Sequence, residues 1–363
     1  MDRLFRDHGF LPERDPLRAF PHGSPLALLD EIGRDLPSLL QDAGFRDYAR
    51  RLSIPEWVEP GDPVQRLAQM RLYYVRLGFL ASAYINQVGQ QPINVLPRNL
   101  AVPLCQICRL LSRPPILSYD GYALFNWKRF DPAGPIALGN IDTIQNFVHM
   151  YDEHWFILIH VDIENIAARI LAAIDDAGRG ARAGDNAAVN QALQTIGRAV
   201  WRQVDVLRRI PEKMDPALYY KTFRPYIRFF EHVVYEGVDA RPMDFRGETG
   251  AQSSIMPALV AFMKIPHRQS MLTDHLADMQ NFMPQEHRRL IAEFRALPDP
   301  RPLADKEPYN DVLEAMATFR EVHYGWADQY INQRTSDPRG TGGTPFMQWL
   351  GQLMAETRAH KIA

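Results

Sequence analysis

Apolar residues along most of the chain recur about every three or four positions, which is the spacing of one face of an α-helix. Alternation of apolar and polar residues, which would indicate half-buried strands, is nearly absent. The pattern therefore predicts an all-α protein. The predicted helices are a pair within 25–51 and single helices at 63–88, after Pro103, at 143–175, at 186–209, from Asp215 onward, at 251–264, 284–296, 308–332 and 344–359.

Two stretches rich in proline, glycine and aspartate interrupt the helical pattern. The first covers 112–142, and the second, which we predict to be a loop, covers 236–250. A boundary at the end of the first stretch gives a smaller N-terminal helical lobe, residues 1–142, and a larger helical bundle, residues 143–363. The glycine-rich sequence at 175–185 is expected to end the helix before it.

Composition narrows the classes of partner. The 363 residues include 41 basic and 43 acidic side chains, and the formal charge is −2. This near-neutral net charge does not favour electrostatic binding to nucleic acid or to an anionic membrane. The first residues are charged and no apolar run is long enough to span a bilayer, so we expect a cytoplasmic protein.

The only two cysteines, Cys105 and Cys108, form a C-x-x-C pair, a spacing found in redox motifs and zinc sites. Their flanks predict a helix interior, whereas a redox pair is expected at a helix N-terminus. Arg109 replaces the histidine of covalent haem attachment, and a second pair of zinc ligands is not evident. We interpret both residues as buried structural thiols.

Two histidines interrupt apolar helical faces. His323, in FREVHYGWADQYI, shares a face with Val322 and Trp326, and His160 continues the stripe of WFILIHVDIENIAARI. Each alone is more often a hydrogen-bonded core histidine than a ligand. Two on separate helices of one bundle favour a cofactor in its core, and haem held by a single histidine suits such a core. Zinc and di-iron centres are less favoured, because H-E-x-x-H and suitably spaced Glu-x-x-His pairs are absent.

An arginine and a glycine-rich segment are further candidates. Arg224 lies among aromatic residues in KTFRPYIRFF, where it either packs its stem on the core or binds a carboxylate in bidentate fashion. RGTGGTPF, residues 339–346, would let backbone N–H groups approach a ligand. It is not a P-loop, and a turn before the last helix is the simpler interpretation.

These segments together resemble a known family. FREVHYGWADQYI followed by RGTGGTPFMQWL is similar to indoleamine 2,3-dioxygenase, in a bacterial-type form. HGFLPERDPL, VLPRNLAVPLCQI, PPILSYDGYALFNW, YYKTFRPYIRFF and VYEGVDARPMDFRGETGAQSS match in the same order. The resemblance implies a haem b enzyme of tryptophan catabolism and the kynurenine pathway. It would use O2 to convert L-tryptophan or a related indole to an N-formylkynurenine-type product.

The resemblance also implies a role for each matching residue. His323 matches the proximal ligand of the haem iron, and Arg224 matches the arginine that pairs with the substrate carboxylate. Further positions would bind substrate, namely Tyr119, Tyr122, Ala123, Phe156, Tyr219, Tyr220 and, near the ammonium group, Thr341. Thr249 falls where the family approaches a haem propionate.

Some positions depart from the family pattern. His160 stands where animal members of the family carry serine. In this segment the chain is more similar to the related tryptophan 2,3-dioxygenases, which carry a distal histidine, so His160 would accept the indole N–H. Arg320 lacks its acidic partner, because Val260 stands near the expected place, and a haem propionate is another candidate partner. The N-terminal segment favours a monomer. A haem oxygenase acting on another indole and a non-catalytic haem sensor or carrier are the alternatives.

Overall fold

The computed structural model describes residues 3–334 and 346–363. Helices dominate the fold, which confirms the predicted class. In the described part of the chain, no helix combines the length and apolarity needed to cross a lipid bilayer. The helices are α1 (Arg3–His8), α2 (Ala27–Leu39), α3 (Phe45–Arg51), α4 (Pro63–Ile85), α5 (Arg98–Leu110), α6 (Tyr151–Ala183), α7 (Asn186–Leu207), α8 (Pro216–Leu218), α9 (Ile255–Met263), α10 (Met271–Gln280), α11 (Gln285–Arg295), α12 (Lys306–Tyr330) and α13 (Phe346–Ala359).

Short strands accompany the helices. β1 (Val95–Leu96) runs parallel to β4 (Phe230–Tyr235), which pairs antiparallel with β5 (Asp239–Phe245). β2 (Trp127–Arg129) pairs antiparallel with β3 (Ile141–Thr143). The prediction of a loop over 236–250 was therefore wrong for its central residues. β5 is largely exposed and carries no apolar alternation, so its ladder with β4 leaves little trace in the sequence.

Helix α5 begins before Pro103, not after it as predicted. Pro97 caps the helix, and its carbonyl accepts hydrogen bonds from the backbone N–H groups of Leu100 and Ala101, both at 2.9 Å. Cys105 and Cys108 are free and buried on this helix, as predicted. Burial raises the pKa of the Cys105 thiol to about 11 and that of Cys108 still higher, so both thiols stay protonated.

Helix α6 begins later and ends later than the predicted 143–175. Its glycines permit close packing and do not stop it: a Cβ on Gly178 would lie 2.8 Å from Leu297 Cδ2, and one on Gly180 would lie 3.0 Å from Ala188 Cβ. The helix ends at Gly184, which has a φ of 67°. Asp185 then caps α7 by accepting from the backbone N–H of Ala188.

The core of the bundle is built on α7, which packs along α6 on one side and along α12 on the other. α6 and α12 make few direct contacts with each other. The described start of α13 agrees with the last predicted helix, whose opening Thr344 and Pro345 lie outside the described residues, and α10 was not predicted. The division of the chain at residue 142 stays a prediction.

Candidate active site

His160 on α6 and His323 on α12 lie near each other on two helices that make few direct contacts, and we call the region between these helices the central gap. The His160 imidazole is close enough to lower the pKa of His323 electrostatically. Protein surrounds both side chains, yet each keeps some accessible surface. The structure therefore brings together the two histidines that the sequence singled out.

The His323 ring makes no hydrogen bond to any residue that the structure describes. A histidine that served packing alone would be expected to have such a partner. Burial, with a smaller contribution from His160, lowers the pKa of His323 to about 4. The imidazole is therefore neutral at pH 7, which is the form that ligates a metal ion.

His160 has a defined tautomer. Its Nδ1 lies 2.7 Å from the carbonyl oxygen of Phe156, and because a carbonyl only accepts, Nδ1 carries the proton. Burial lowers the pKa of the ring, which keeps it neutral. Nε2 is therefore an unprotonated acceptor. The Tyr119 and Phe156 rings stand edge-on to the imidazole at centroid distances of 5.7 and 4.7 Å.

Aromatic side chains predicted to hold the substrate meet around Phe156. Its ring centroid lies 6.3 Å from that of Tyr122 and 5.6 Å from that of Tyr219. The ring of Phe223, which was not predicted to hold the substrate, lies 6.0 Å away. Two π-helical turns, Asp120–Leu124 and Tyr219–Phe223, supply these rings together with the buried Ala123. Such turns are frequent at functional sites. The result is a wall of aromatic side chains beside the central gap, which we call the aromatic wall.

Arg224 follows the second of these turns and is buried, with 7% of its surface exposed. Its guanidinium lies 5.1 Å from the centroid of the Tyr220 ring. Burial raises the pKa of Tyr219 to about 12, although Arg224 acts in the opposite direction. The burial of the Arg224 side chain favours its interpretation as a bidentate binder of an anionic ligand over that of a surface arginine with a packed stem.

Buried carboxyl groups hold the pocket tyrosines, and sequence reasoning did not assign them this role. Tyr119 Oη and Ser253 Oγ donate to Glu164 Oε1 at 2.8 and 2.7 Å, and Tyr122 Oη donates to Glu153 Oε1 at 3.0 Å. Burial raises the pKa of each carboxyl to about 7. Glu164 stands one helical turn after His160, so the sequence already indicated that the two side chains share a face of the helix.

The remaining predicted residues lie around the pocket. Thr249 is partly buried and its Oγ1 accepts from the backbone N–H of Ala251 at 3.4 Å. Arg320 is buried and donates to Thr357 Oγ1 and to the Leu353 carbonyl, so α13 supplies its partners. Thr341 lies outside the described residues. The predicted roles of these three residues toward substrate and haem stay predictions.

Replacing Glu164 by glutamine is expected to change how the free energy of unfolding depends on pH. The folded chain binds this proton more tightly than the unfolded chain, since burial raises the pKa from 4.5 to about 7. The resulting stability is complete below the unfolded pKa and is lost as the pH rises through the folded one. The variant lacks this loss. Between about pH 5 and pH 8, its free energy of unfolding should therefore rise by about 3 kcal/mol relative to that of the wild type.

Urea unfolding followed by circular dichroism at several pH values would measure this difference. The control is the exposed Glu13, whose replacement by glutamine should leave the pH dependence unchanged. Parallel pH profiles for the Glu164 variant and the wild type would contradict the raised pKa.

Comparison with known proteins identifies the chain's relatives. The sequence model of indoleamine 2,3-dioxygenase matches residues 3–360. The chain belongs to the indoleamine 2,3-dioxygenase family. It is 29% identical to indoleamine 2,3-dioxygenase 1 of Rattus norvegicus over 360 residues, which cover 90% of this chain and 87% of the relative. It is also 29% identical to indoleamine 2,3-dioxygenase 2 of Homo sapiens over 388 residues, with coverage of 98% and 93%.

A third relative bears a different name. Myoglobin of Haliotis madaka is 24% identical over 352 residues, which cover 90% of each chain. Membership of the indoleamine 2,3-dioxygenase family indicates a haem-binding oxidoreductase of tryptophan catabolism. These three relatives are animal proteins, so the expectation of a bacterial-type member stays a prediction.

The residues around the central gap fit the haem of this family. The neutral His323 ring offers a nitrogen that no described residue engages. Phe319, Val322 and Trp326, on the same helix as His323, are partly buried apolar side chains that pack against the core. A single nitrogen donor in apolar surroundings suits a metal that a porphyrin already holds by its other positions.

Proposed function

We propose that the protein is a haem-dependent dioxygenase that inserts both atoms of O2 across the indole C2–C3 bond of L-tryptophan to give N-formylkynurenine. The observation that carries the proposal is the pair of neutral imidazoles across the central gap, beside a buried arginine. One of the two, His323, has no hydrogen-bond partner among the described residues. Family membership supports the same chemistry.

His323 would hold the haem b iron in its ferrous state, and Arg320 and Thr249 would stand near the propionates. The cofactor would supply the oxygen chemistry, while the protein supplies orientation and a dry pocket. Arg224 would bind the substrate carboxylate and so fix the position of the indole ring. Positioning of this kind lowers a reaction barrier by several kcal/mol without a general base.

The aromatic wall of Tyr119, Tyr122, Phe156 and Tyr219 would hold the indole ring and exclude water. His160 Nε2, as an unprotonated acceptor, would receive the indole N–H. Tyr220 would lie over the Arg224 guanidinium, and Thr341 would stand near the substrate ammonium group. The protein is proposed to act as a cytoplasmic monomer, with residues 1–142 forming the smaller lobe.

The direct test is to reduce the purified haem protein with ascorbate and a mediator, add L-tryptophan in air, and record the absorbance of N-formylkynurenine. Product formation at the rate of tryptophan loss is expected. Consumption of another indole, with L-tryptophan untouched, would replace the proposed substrate.

A haem protein that binds O2 without catalysis is the second candidate. It is favoured by the match to Haliotis madaka myoglobin over 90% of both chains. This candidate predicts reversible O2 and CO binding and no loss of tryptophan in the same assay. Steady product formation would exclude it.

Replacing His160 by serine is expected to leave the haem content unchanged and to alter turnover. Serine is too short to offer an acceptor at the place of Nε2, so the indole N–H would lose its partner. The haem Soret band per polypeptide and the kcat for L-tryptophan measure the two effects. Loss of haem from this variant would show that His160, not His323, holds the haem iron.

A further inference from the structure

The Glu248 side chain is a buried carboxyl group for which the proposed mechanism has no use. It is 3% exposed, and no hydrogen bond or ion pair reaches its carboxyl from residues 3–334 or 346–363. Its oxygens border accessible space, in contrast to the sealed and unpartnered Glu164 Oε2. Burying a carboxyl without a partner is costly, so its place calls for a ligand that would compensate it.

The backbone around Glu248 is held by contacts with two neighbouring segments, one at Ile227 and one at Tyr119. Its N–H donates to the Ile227 carbonyl at 3.0 Å. A Cβ on Gly247 would lie 2.4 Å from that same oxygen, so only glycine fits there. Gln252 accepts from the Tyr119 N–H at 3.0 Å and donates to the Gly247 carbonyl at 2.9 Å. The loop thus connects the segment that carries Arg224 with the segment that carries Tyr119.

The Glu248 carboxyl lies within electrostatic reach of the aromatic wall. Its charge raises the pKa of Tyr119, Tyr122 and Tyr219. Arg224 acts on the same Tyr219 in the opposite direction, yet Arg224 and Glu248 do not pair with each other. The Glu248 carboxyl group and the Arg224 guanidinium group therefore both act on the Tyr219 phenol, from separate positions.

We propose that Glu248 binds the α-ammonium group of the substrate while Arg224 binds its carboxylate, so that the site selects zwitterionic indole amino acids over indoles without an amine. This inference rests on the proposed function. A charge-assisted hydrogen bond from ammonium to carboxylate is among the stronger polar contacts in proteins.

Binding would be coupled to release of a proton. Burial raises the pKa of Glu248 to about 8, so in the free protein the group is mostly protonated at pH 7. The ammonium ion stabilises the carboxylate, and the proton passes to the solvent. The groups facing it are the phenols of Tyr119, Tyr122 and Tyr219, which burial keeps protonated at this pH. Tyr122 donates to Glu153 and Tyr119 donates to Glu164.

Isothermal titration calorimetry of the haem-loaded protein at pH 7, in buffers of different ionisation enthalpy, would test the proposal. The probes are L-tryptophan and indole-3-propionate, which has the carboxylate but no amine. L-Tryptophan should release nearly one proton per site, and indole-3-propionate should release none. Glu248→Gln should weaken L-tryptophan binding about tenfold or more, abolish its proton release, and change the affinity for indole-3-propionate less than about twofold.

Matched controls keep the outcomes distinct. Glu231→Gln changes an exposed carboxyl on β4 and should behave as the wild type. An equal loss of affinity for both ligands in the Glu248 variant would indicate a structural role and overturn the inference, as would unchanged L-tryptophan binding. If the Glu248 variant gives either of these two results while the wild-type protein forms N-formylkynurenine, the proposed function is retained and only the role of Glu248 is rejected. A wild-type protein that retains no haem and binds neither probe overturns both the inference and the proposed function.

Discussion

Replacing His323 by alanine is expected to give a folded protein that no longer retains haem. The imidazole is neutral, since burial lowers its pKa to about 4, and no described residue competes for its ring. Removing the only protein ligand proposed for the iron should reduce the Soret absorbance per polypeptide by more than about tenfold. A pyridine haemochrome assay on the purified variant measures the haem content.

A rescue experiment separates ligand loss from misfolding. Free imidazole can occupy the space left by the side chain, so its addition should restore haem binding to the variant. His287 offers a matched control, because it is buried, neutral and hydrogen-bonded to Ser254 Oγ at 3.1 Å. His287→Ala should lower stability while keeping haem. Full Soret absorbance in the His323 variant would show that this residue does not hold the haem iron.

Replacing Arg224 by alanine is expected to raise the KM for L-tryptophan on the order of a hundredfold. A buried arginine that pairs with a carboxylate is worth about 2–5 kcal/mol when truncated, and each 1.4 kcal/mol corresponds to about a tenfold change in affinity. Lysine at this position should recover only part of the loss, because it lacks the planar fork.

The neighbouring Arg228 provides the comparison. It is partly exposed and its guanidinium lies 5.1 Å from the centroid of the Phe229 ring, so Arg228→Ala should leave the KM near the wild-type value. Tryptamine, which lacks the carboxylate, should bind the Arg224 variant and the wild type alike. Unchanged kinetics for L-tryptophan in the Arg224 variant would show that another group holds the carboxylate.

The helical class and the paired histidines were predictable because both depend on a period that the sequence displays. His160 and His323 interrupt long apolar stripes, and helical geometry alone then points them inward. The rest depended on tertiary contacts. Gly178 and Gly180 were expected to end a helix, but both lie within α6, where they allow the close approach of Leu297 and Ala188.

The supporting carboxyl groups were harder to anticipate. Glu164 stands one turn after His160, yet only the folded chain shows that Tyr119 and Ser253 donate to it. Glu248 lies in an irregular loop, where no period indicates burial. The π-helical turn before Arg224 likewise carries no sequence signal that distinguishes it from an ordinary helix.

The contact between Arg320 and α13 has a practical consequence for handling the protein. Arg320 precedes His323 by one helical turn, and its buried guanidinium donates to Thr357 Oγ1. Asn310 at the start of α12 also exchanges hydrogen bonds of 2.9 and 2.8 Å with the backbone of Ile362. Trimming the final residues, or fusing an affinity tag after them, would therefore disturb the helix that carries His323, the proposed iron ligand. Purification handles are better attached elsewhere on the chain.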